Sequence, residues 1–222
     1  MRKLLKRILF PLLSRWYHRK TKGEQRYSNH GISLTILPGV FHPGMFLSTN
    51  IFIRFLTHQS LQGKRLVELG AGSGLISFYA QKNGAIVTAT DINPQAIEGL
   101  RINSQTNKLP VTVIETNLLS GLQVNDFDIV VINPPYYPKQ AQNVQEAAFY
   151  CGEDFEYFKE LFAQLSDQQL QKSCAVFMIL SEDCRISHIQ ELAVEQGIGF
   201  TEVFATKKWG ERNYIFQLSR NE

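Results

Sequence analysis

Asn133-Pro134-Pro135-Tyr136 follows directly on the apolar run Ile129–Ile132. Two consecutive prolines fix the backbone, and each removes one N–H. What remains is a rigid turn that offers acceptors: the Asn133 side-chain oxygen and the Pro134 carbonyl. A planar –NH2 group carries two N–H donors that meet two such acceptors. Bonds there hold the nitrogen and favour the lone-pair-bearing form that attacks an electrophile. Tyr136 adds a flat face for a flat substrate.

A second constellation lies upstream. Gly70, Gly72 and Gly74 sit in Val67-Glu-Leu-Gly-Ala-Gly-Ser-Gly74, where glycines permit a tight strand-to-helix turn and close approach of backbone to a ligand. The spacing is G-x-G-x-G. A dinucleotide fingerprint needs its third glycine at position 75, where Leu75 stands. Glu68 precedes the glycines, and Asp91 follows Gly70 by 21 positions. A carboxylate at the end of the next strand can accept bonds from both ribose hydroxyls. Taken singly, Asp91 reads as a helix cap before Pro94, Glu68 as an ion-pair member, and the Asn-Pro-Pro turn as a cis-proline turn with a buried amide. Taken together and in this order, they read as a nucleoside site beside an amine site.

These residues need a scaffold. From Arg65 the apolar patterning alternates strand and helix: strands over 65–69, 85–90, 111–115, 127–132 and 175–180, helices over 73–83, 94–107, 154–172 and 187–196. Pro94 suits the first turn of its helix. The chain closes with strands over 200–205 and 214–218 and no helix between them. Upstream, residues 23–30 read as loop, Ile32–Ile36 as a short strand, and Ser48 or Thr49 as the cap of a helix running to Leu56. This is an α/β pattern: a seven-stranded, mostly parallel Rossmann-like sheet, helices on both faces, an antiparallel C-terminal hairpin. In such sheets ligands sit beyond the carboxyl ends of the strands, where the strand order reverses.

Composition sets the bounds. The 222 residues are 44% hydrophobic and 19% charged, which excludes disorder and coiled coil and fits one domain over 31–222 preceded by a 1–30 segment. The net charge of +3 hides an asymmetry. Residues 1–22 hold eight Lys or Arg and no acid, which leaves fifteen cations against twenty acids, a net of −5, over 23–222. An acidic body argues against a broad phosphate-binding surface. In the first segment Leu5, Ile8, Leu9, Leu12 and Trp16 form an apolar helical stripe interrupted at Pro11. Three readings stay open for it: a helix packed on the body, a peripheral membrane helix, or an organellar presequence. A secretory signal is disfavoured by the short apolar core and the bulky residues after it. Three cysteines without CxxC spacing predict free thiols in a reducing, cytoplasmic compartment. The five histidines show no metal spacing, so no metal is expected. His42, beside Pro43-Gly44, reads as a surface or capping histidine.

With its Val-Glu-Leu-Gly-Ala-Gly-Ser-Gly, Asp91-Ile-Asn-Pro94 and Asn133-Pro-Pro-Tyr136 segments, residues 36–220 resemble the Rossmann-like S-adenosylmethionine-dependent methyltransferases that modify planar amino groups. The chain is most similar to the compact protein-glutamine methyltransferases. The resemblance implies S-adenosylmethionine over Gly70, Gly72 and Gly74, with its ribose on Asp91 and Ile92 against the adenine. Asn117 then stands where family members often have Asp near the adenine amine, and Glu68 orders the methionine end. Asn133, Pro134 and Tyr136 are the implied catalytic residues, and Pro135, Tyr136 and Thr49 the implied substrate contacts. Thr49 matches the family's Thr, but Ser48 and Asn50 replace the acids usual around it. The leading expectation is a monomeric protein N-methyltransferase acting on a glutamine amide. A nucleic-acid amine methyltransferase, a small-molecule methyltransferase and a non-enzymatic cofactor-binding scaffold are the alternatives.

Overall fold

Strand β3 (Arg65–Leu69) is buried from its second residue onward, because apolar side chains on both of its faces meet helices. It pairs in parallel with β4 (Ile86–Asp91) on one side and β6 (Ile129–Ile132) on the other. In this computed structural model, which describes residues 23–221, β5 (Thr112–Glu115), β7 (Ala175–Ser181), β8 (Ile198–Lys208) and β9 (Glu211–Arg220) complete the sheet. Its order is β5-β4-β3-β6-β7-β9-β8. The two closing strands are antiparallel, as expected. The helical stripe over 1–22 lies outside the described residues.

Helices α1 (Ser48–Leu56), α2 (Leu75–Lys82) and α3 (Pro94–Asn107) cover one face and share a core with Leu66, Val131, Phe177 and Ile215. The other face carries α4 (Glu156–Asp167) and α5 (Ile186–Glu195), packed on Val67, Leu69, Val130 and Ile132. The alternation 66/67 and 130/131 between the two cores is the period-2 pleat of buried strands. Strand order reverses between β3 and β6, which places a crevice at their carboxyl ends.

Several boundaries differ from expectation. Residues 23–30 are not simply loop: β1 (Gln25–Asn29) pairs antiparallel with β2 (Ile32–Ile36) through a His30-Gly31 turn. Both turn residues have positive φ, 52° and 69°, the twist that tight hairpins prefer. Asn103 and Asn107 of α3 then pair with the β2 backbone: their side-chain oxygens accept the Thr35 and Ser33 N–H at 2.7 and 2.9 Å. Helix α4 is shorter than 154–172, because Phe155 and Gln169 at its two ends adopt left-handed backbone, φ 59° and 51°. Neither Ser48 nor Thr49 caps α1. Leu47 holds the cap position without a side-chain bond, and both hydroxyl residues lie buried in the first turn.

Candidate functional site

A cleft of about 340 Å³ opens at the carboxyl edge of β3, β4 and β6, within the size range of small-ligand sites. Each wall has a local cause. β3 ends in the glycine turn, whose Gly70, Gly72 and Gly74 all have positive φ. A Cβ on Gly70 would project into open space, so the backbone here can meet a ligand directly. Gly74 serves the packing instead: it caps α2 and does not line the cleft. A Cβ there would collide with Leu100 Cδ2 and lie 2.7 Å from Phe78 Cε2.

Two carboxylates stand over this turn. Asp91 Oδ2 accepts the Gly72 N–H at 2.8 Å, and Oδ1 accepts the Asn93 N–H at 2.9 Å. Each oxygen keeps a lone pair for a further donor. Burial raises the Asp91 pKa despite these bonds. Glu68 is buried at the cleft floor, and one of its oxygens accepts both the Ser77 N–H at 2.8 Å and the Ser77 hydroxyl at 2.5 Å. Desolvation pushes its pKa up to about 8, with the Ser77 bonds pulling against that shift and Asp91 adding to it. Ile92, half exposed, and Asn117, exposed, line the same side.

β6 delivers Asn133, Pro134, Pro135 and Tyr136 to the opposite wall, one strand from the glycine turn. Pro134 is buried, and the Tyr136 ring packs at 5.0 Å from Tyr137 and against the core under α4. No peptide bond among the described residues is cis, so the turn differs from the cis-proline alternative. Thr49 and Ser48 line the cleft from α1. Asn50 does not: its side-chain oxygen accepts from Asn29 Nδ2 at 2.7 Å and ties α1 to β1.

The rim of the cleft is built by residues outside the expected set. Tyr137 N–H donates to Phe149 O at 3.1 Å, and Cys151 N–H to Tyr137 O at 3.0 Å, which closes residues 138–150 into a strap. Its Phe149 ring meets Phe41 and Phe46 at 5.9 and 5.7 Å, while those two stack at 4.7 Å. All three line the cleft, and so does Tyr157 from the first turn of α4. The aromatic density of Phe41–Phe46 and Ala147–Tyr150 was the available signal. His42 is a buried cap rather than a surface residue: Nδ1 accepts the Gly44 N–H at 3.1 Å, and its ring abuts Tyr27. The three cysteines are free and buried. Among the described residues, no group of three His, Cys, Asp or Glu is arranged to hold a metal, and no helix is long and apolar enough to cross a membrane.

The arrangement fits S-adenosylmethionine. An open glycine turn, a carboxylate with spare acceptors and a buried acid at the floor match a nucleoside joined to a cationic amino-acid chain. Residues 31–206 match the methyltransferase small domain family. The chain is 28% identical over 156 residues to a putative protein N5-glutamine methyltransferase of Methanocaldococcus jannaschii, covering 68% of this chain and 77% of that one. It is 38% identical over 104 residues to the ribosomal protein L11 methyltransferase of Thermotoga neapolitana, covering 46% of this chain but only 39% of the relative. A chain of the E. cuniculi Mtq2–Trm112 complex, which methylates the termination factor eRF1, shares the fold with a TM-score of 0.61. Its identity is 22%, over 82% of this chain and 99% of that one. The chain belongs to the methyltransferase small domain family, and its body is an S-adenosylmethionine-dependent methyltransferase domain.

Proposed function

We propose that the chain methylates the side-chain amide nitrogen of glutamine in a protein acceptor. The observation that carries the reading is the rigid Asn133-Pro134-Pro135-Tyr136 turn, in the same cleft as the glycine turn and one strand away from it. The similarity to a putative N5-glutamine methyltransferase over 68% of the chain supports it. So does the acidic body, net −5 over residues 23–222, which disfavours a polyanionic acceptor.

In this reading Gly70 and Gly72 present backbone to the cofactor. Asp91 accepts from its ribose, Ile92 and Asn117 flank its adenine, and Glu68 meets its cationic end. Bound S-adenosylmethionine supplies an electrophilic methyl group. Asn133 Oδ1 and the Pro134 carbonyl accept the two N–H bonds of the acceptor nitrogen, fix its direction, and stabilise the positive charge that develops on it. Tyr136 and Pro135 give the planar amide a flat wall, and Thr49 closes the slot from α1. The released proton passes to water, and no side chain of the cleft is needed as its base.

The test incubates the protein with methyl-labelled S-adenosylmethionine and extract from cells lacking it, then separates protein, nucleic acid and small molecules. Label is expected in protein, on glutamine by peptide mass spectrometry, and absent with Asn133→Ala although that variant still binds cofactor. Label in nucleic acid that is removed by nuclease would overturn the acceptor. Full activity of Asn133→Ala would overturn the mechanism.

A further inference from the structure

Strands β8 and β9 outrun the rest of the sheet. The last β7 residue, Ser181, pairs with Asn213, yet the hairpin continues through the Lys207–Arg212 and Lys208–Glu211 pairs to a Trp209-Gly210 turn. Because β9 runs antiparallel to β7, this tip projects from the carboxyl edge of the parallel strands, where the cleft opens. The indole of Trp209 is 84% exposed, and Lys207, Lys208 and Arg212 around it are exposed too. Lys208 Nζ sits 5.5 Å from the indole centroid.

Trp209 also has φ 49°. Two-residue hairpin turns with positive φ at both positions favour Asn or Gly at the first, where a bulky side chain is strained. An indole placed there gains the fold no packing, and Lys207, Lys208 and Arg212 lie around it, with Glu211 opposite Lys208 and Glu182, whose N–H donates to Arg212 O at 2.8 Å, as the neighbouring acids. Exposed Trp with Arg is the composition of binding hot spots. The tip is continuous with the proposed amine slot as well. Glu211, paired with Lys208 beside the turn, and Asp183, just past the end of β7, lie near enough to Tyr137 to help raise its hydroxyl pKa, after the larger effect of burial.

We propose that Lys207, Lys208, Trp209 and Arg212 dock an acidic segment of the acceptor protein, one carrying an apolar or aromatic anchor for the indole. The proposal rests on the protein-acceptor reading above. The register supplies a distance. Ile132 pairs with Met178 and Met178 with Phe216, so Asn133 lies two strands from β9 and level with Ile215. Five residues of strand rise to the tip give about 16 Å, and two strand spacings about 10 Å, so slot and tip are about 20 Å apart. An extended chain covers that with about six residues. The docked segment therefore sits about six residues from the methylated glutamine. A short acidic stretch fits this tip better than RNA: its few carboxylates stay within reach of three cations, whereas a polynucleotide carries its charge on across a body of net −5.

The test uses the full chain and synthetic peptides with one glutamine and an Asp-Phe-Glu-Asp segment placed two, six or twelve residues away on either side. A fluorescent Asp-Phe-Glu-Asp probe without glutamine reports docking alone. We expect kcat/KM to peak about tenfold at the six-residue spacing. Trp209→Asn, Trp209→Ala and the pair Lys207→Glu/Lys208→Glu should flatten that peak and weaken the probe by about tenfold. Cofactor affinity should stay unchanged in all three. Trp209→Asn supplies a residue the turn favours, so a loss there cannot be misfolding. Probe binding and transfer indifferent to these variants would overturn the proposal. So would a single-stranded twelve-nucleotide oligouridylate that binds tighter than the probe and is lost with the same variants. Probe binding at the tip with no transfer to any peptide would uphold the docking surface and count against the glutamine reading.

Discussion

Asp91 Oδ2 accepts the Gly72 N–H at 2.8 Å, so the carboxylate at the end of one parallel strand holds the glycine turn at the end of its neighbour. In the proposed reading this one side chain both shapes the glycine turn and offers acceptors to the cofactor. Asp91→Ala should lose both roles and weaken S-adenosylmethionine by about a hundredfold, the scale of two charge-assisted bonds. Asp91→Asn keeps an oxygen for Gly72 and should lose about tenfold. Calorimetric titration of the two variants checks the order; equal losses would show that the Gly72 bond adds nothing.

If Glu68 meets the cationic end of the cofactor as proposed, cofactor affinity should depend on pH. With its pKa pushed up to about 8 by burial, the carboxyl is mostly neutral at pH 7 in the free protein and must ionise to meet a cationic ammonium. Affinity should therefore rise from pH 6 to pH 8.5, and binding at pH 7 should release protons to the buffer. The stability sign is the reverse. A carboxyl whose folded pKa lies above its unfolded 4.5 contributes stability that is present at low pH and lost as pH rises toward 8. Glu68→Gln should match the wild-type melting temperature near pH 5 and exceed it above pH 8, by the equivalent of a few kcal/mol. Its cofactor affinity should be weak and insensitive to pH. Melting curves that run parallel at every pH would remove the burial argument.

Gly70 and Gly74 look alike in sequence and should fail differently. Both have positive φ, 66° and 83°, so alanine costs roughly 1 kcal/mol of strain at either. At Gly74 the new Cβ also meets Leu100 and Phe78 between α2 and α3, adding overpacking of about 1–3 kcal/mol. Gly74→Ala should therefore unfold at clearly lower urea. Gly70→Ala should fold nearly as well as wild type but bind cofactor poorly, because its Cβ enters the cleft. Urea midpoints and cofactor titrations on the same two variants separate the roles.

The sheet and most of the cleft were legible because their signals are local and strong. Buried parallel strands are apolar runs such as Ile129–Ile132, and Gly70, Asp91 and Asn133 stand directly at strand ends. What escaped depends on pairing rather than composition. β1 is a half-exposed strand whose partners are β2 and the Asn50 amide, and its His30-Gly31 turn lacks the usual Asn-Gly signature. Gly74 shares a motif with Gly70 and Gly72, yet only the neighbouring α3 reveals it as a packing residue. The strap over 138–150 is polar and irregular in sequence, and only its bonds from Tyr137 to Phe149 and Cys151 bring Phe149 to the rim.

Phe149 is the strap's contact with Phe41 and Phe46, two rings on the segment before α1. The three rings join the strap to that segment at the rim of the cleft. Phe149→Ala removes the contact while leaving the Tyr137–Cys151 backbone bonds that anchor the strap's ends. The ring is only half-buried, so global stability should fall by about 1–2 kcal/mol, less than a core Phe→Ala. Hydrogen exchange over 138–148 should speed up while that of β6 stays slow. Cofactor should bind about tenfold more weakly through faster release, since a looser rim shortens residence more than it slows entry. Phe149→Leu, which keeps an apolar contact, should recover most of the loss. Exchange mass spectrometry and stopped-flow release rates on the two variants decide it: unchanged release with Phe149→Ala would make the aromatic trio a packing contact without a part in holding cofactor.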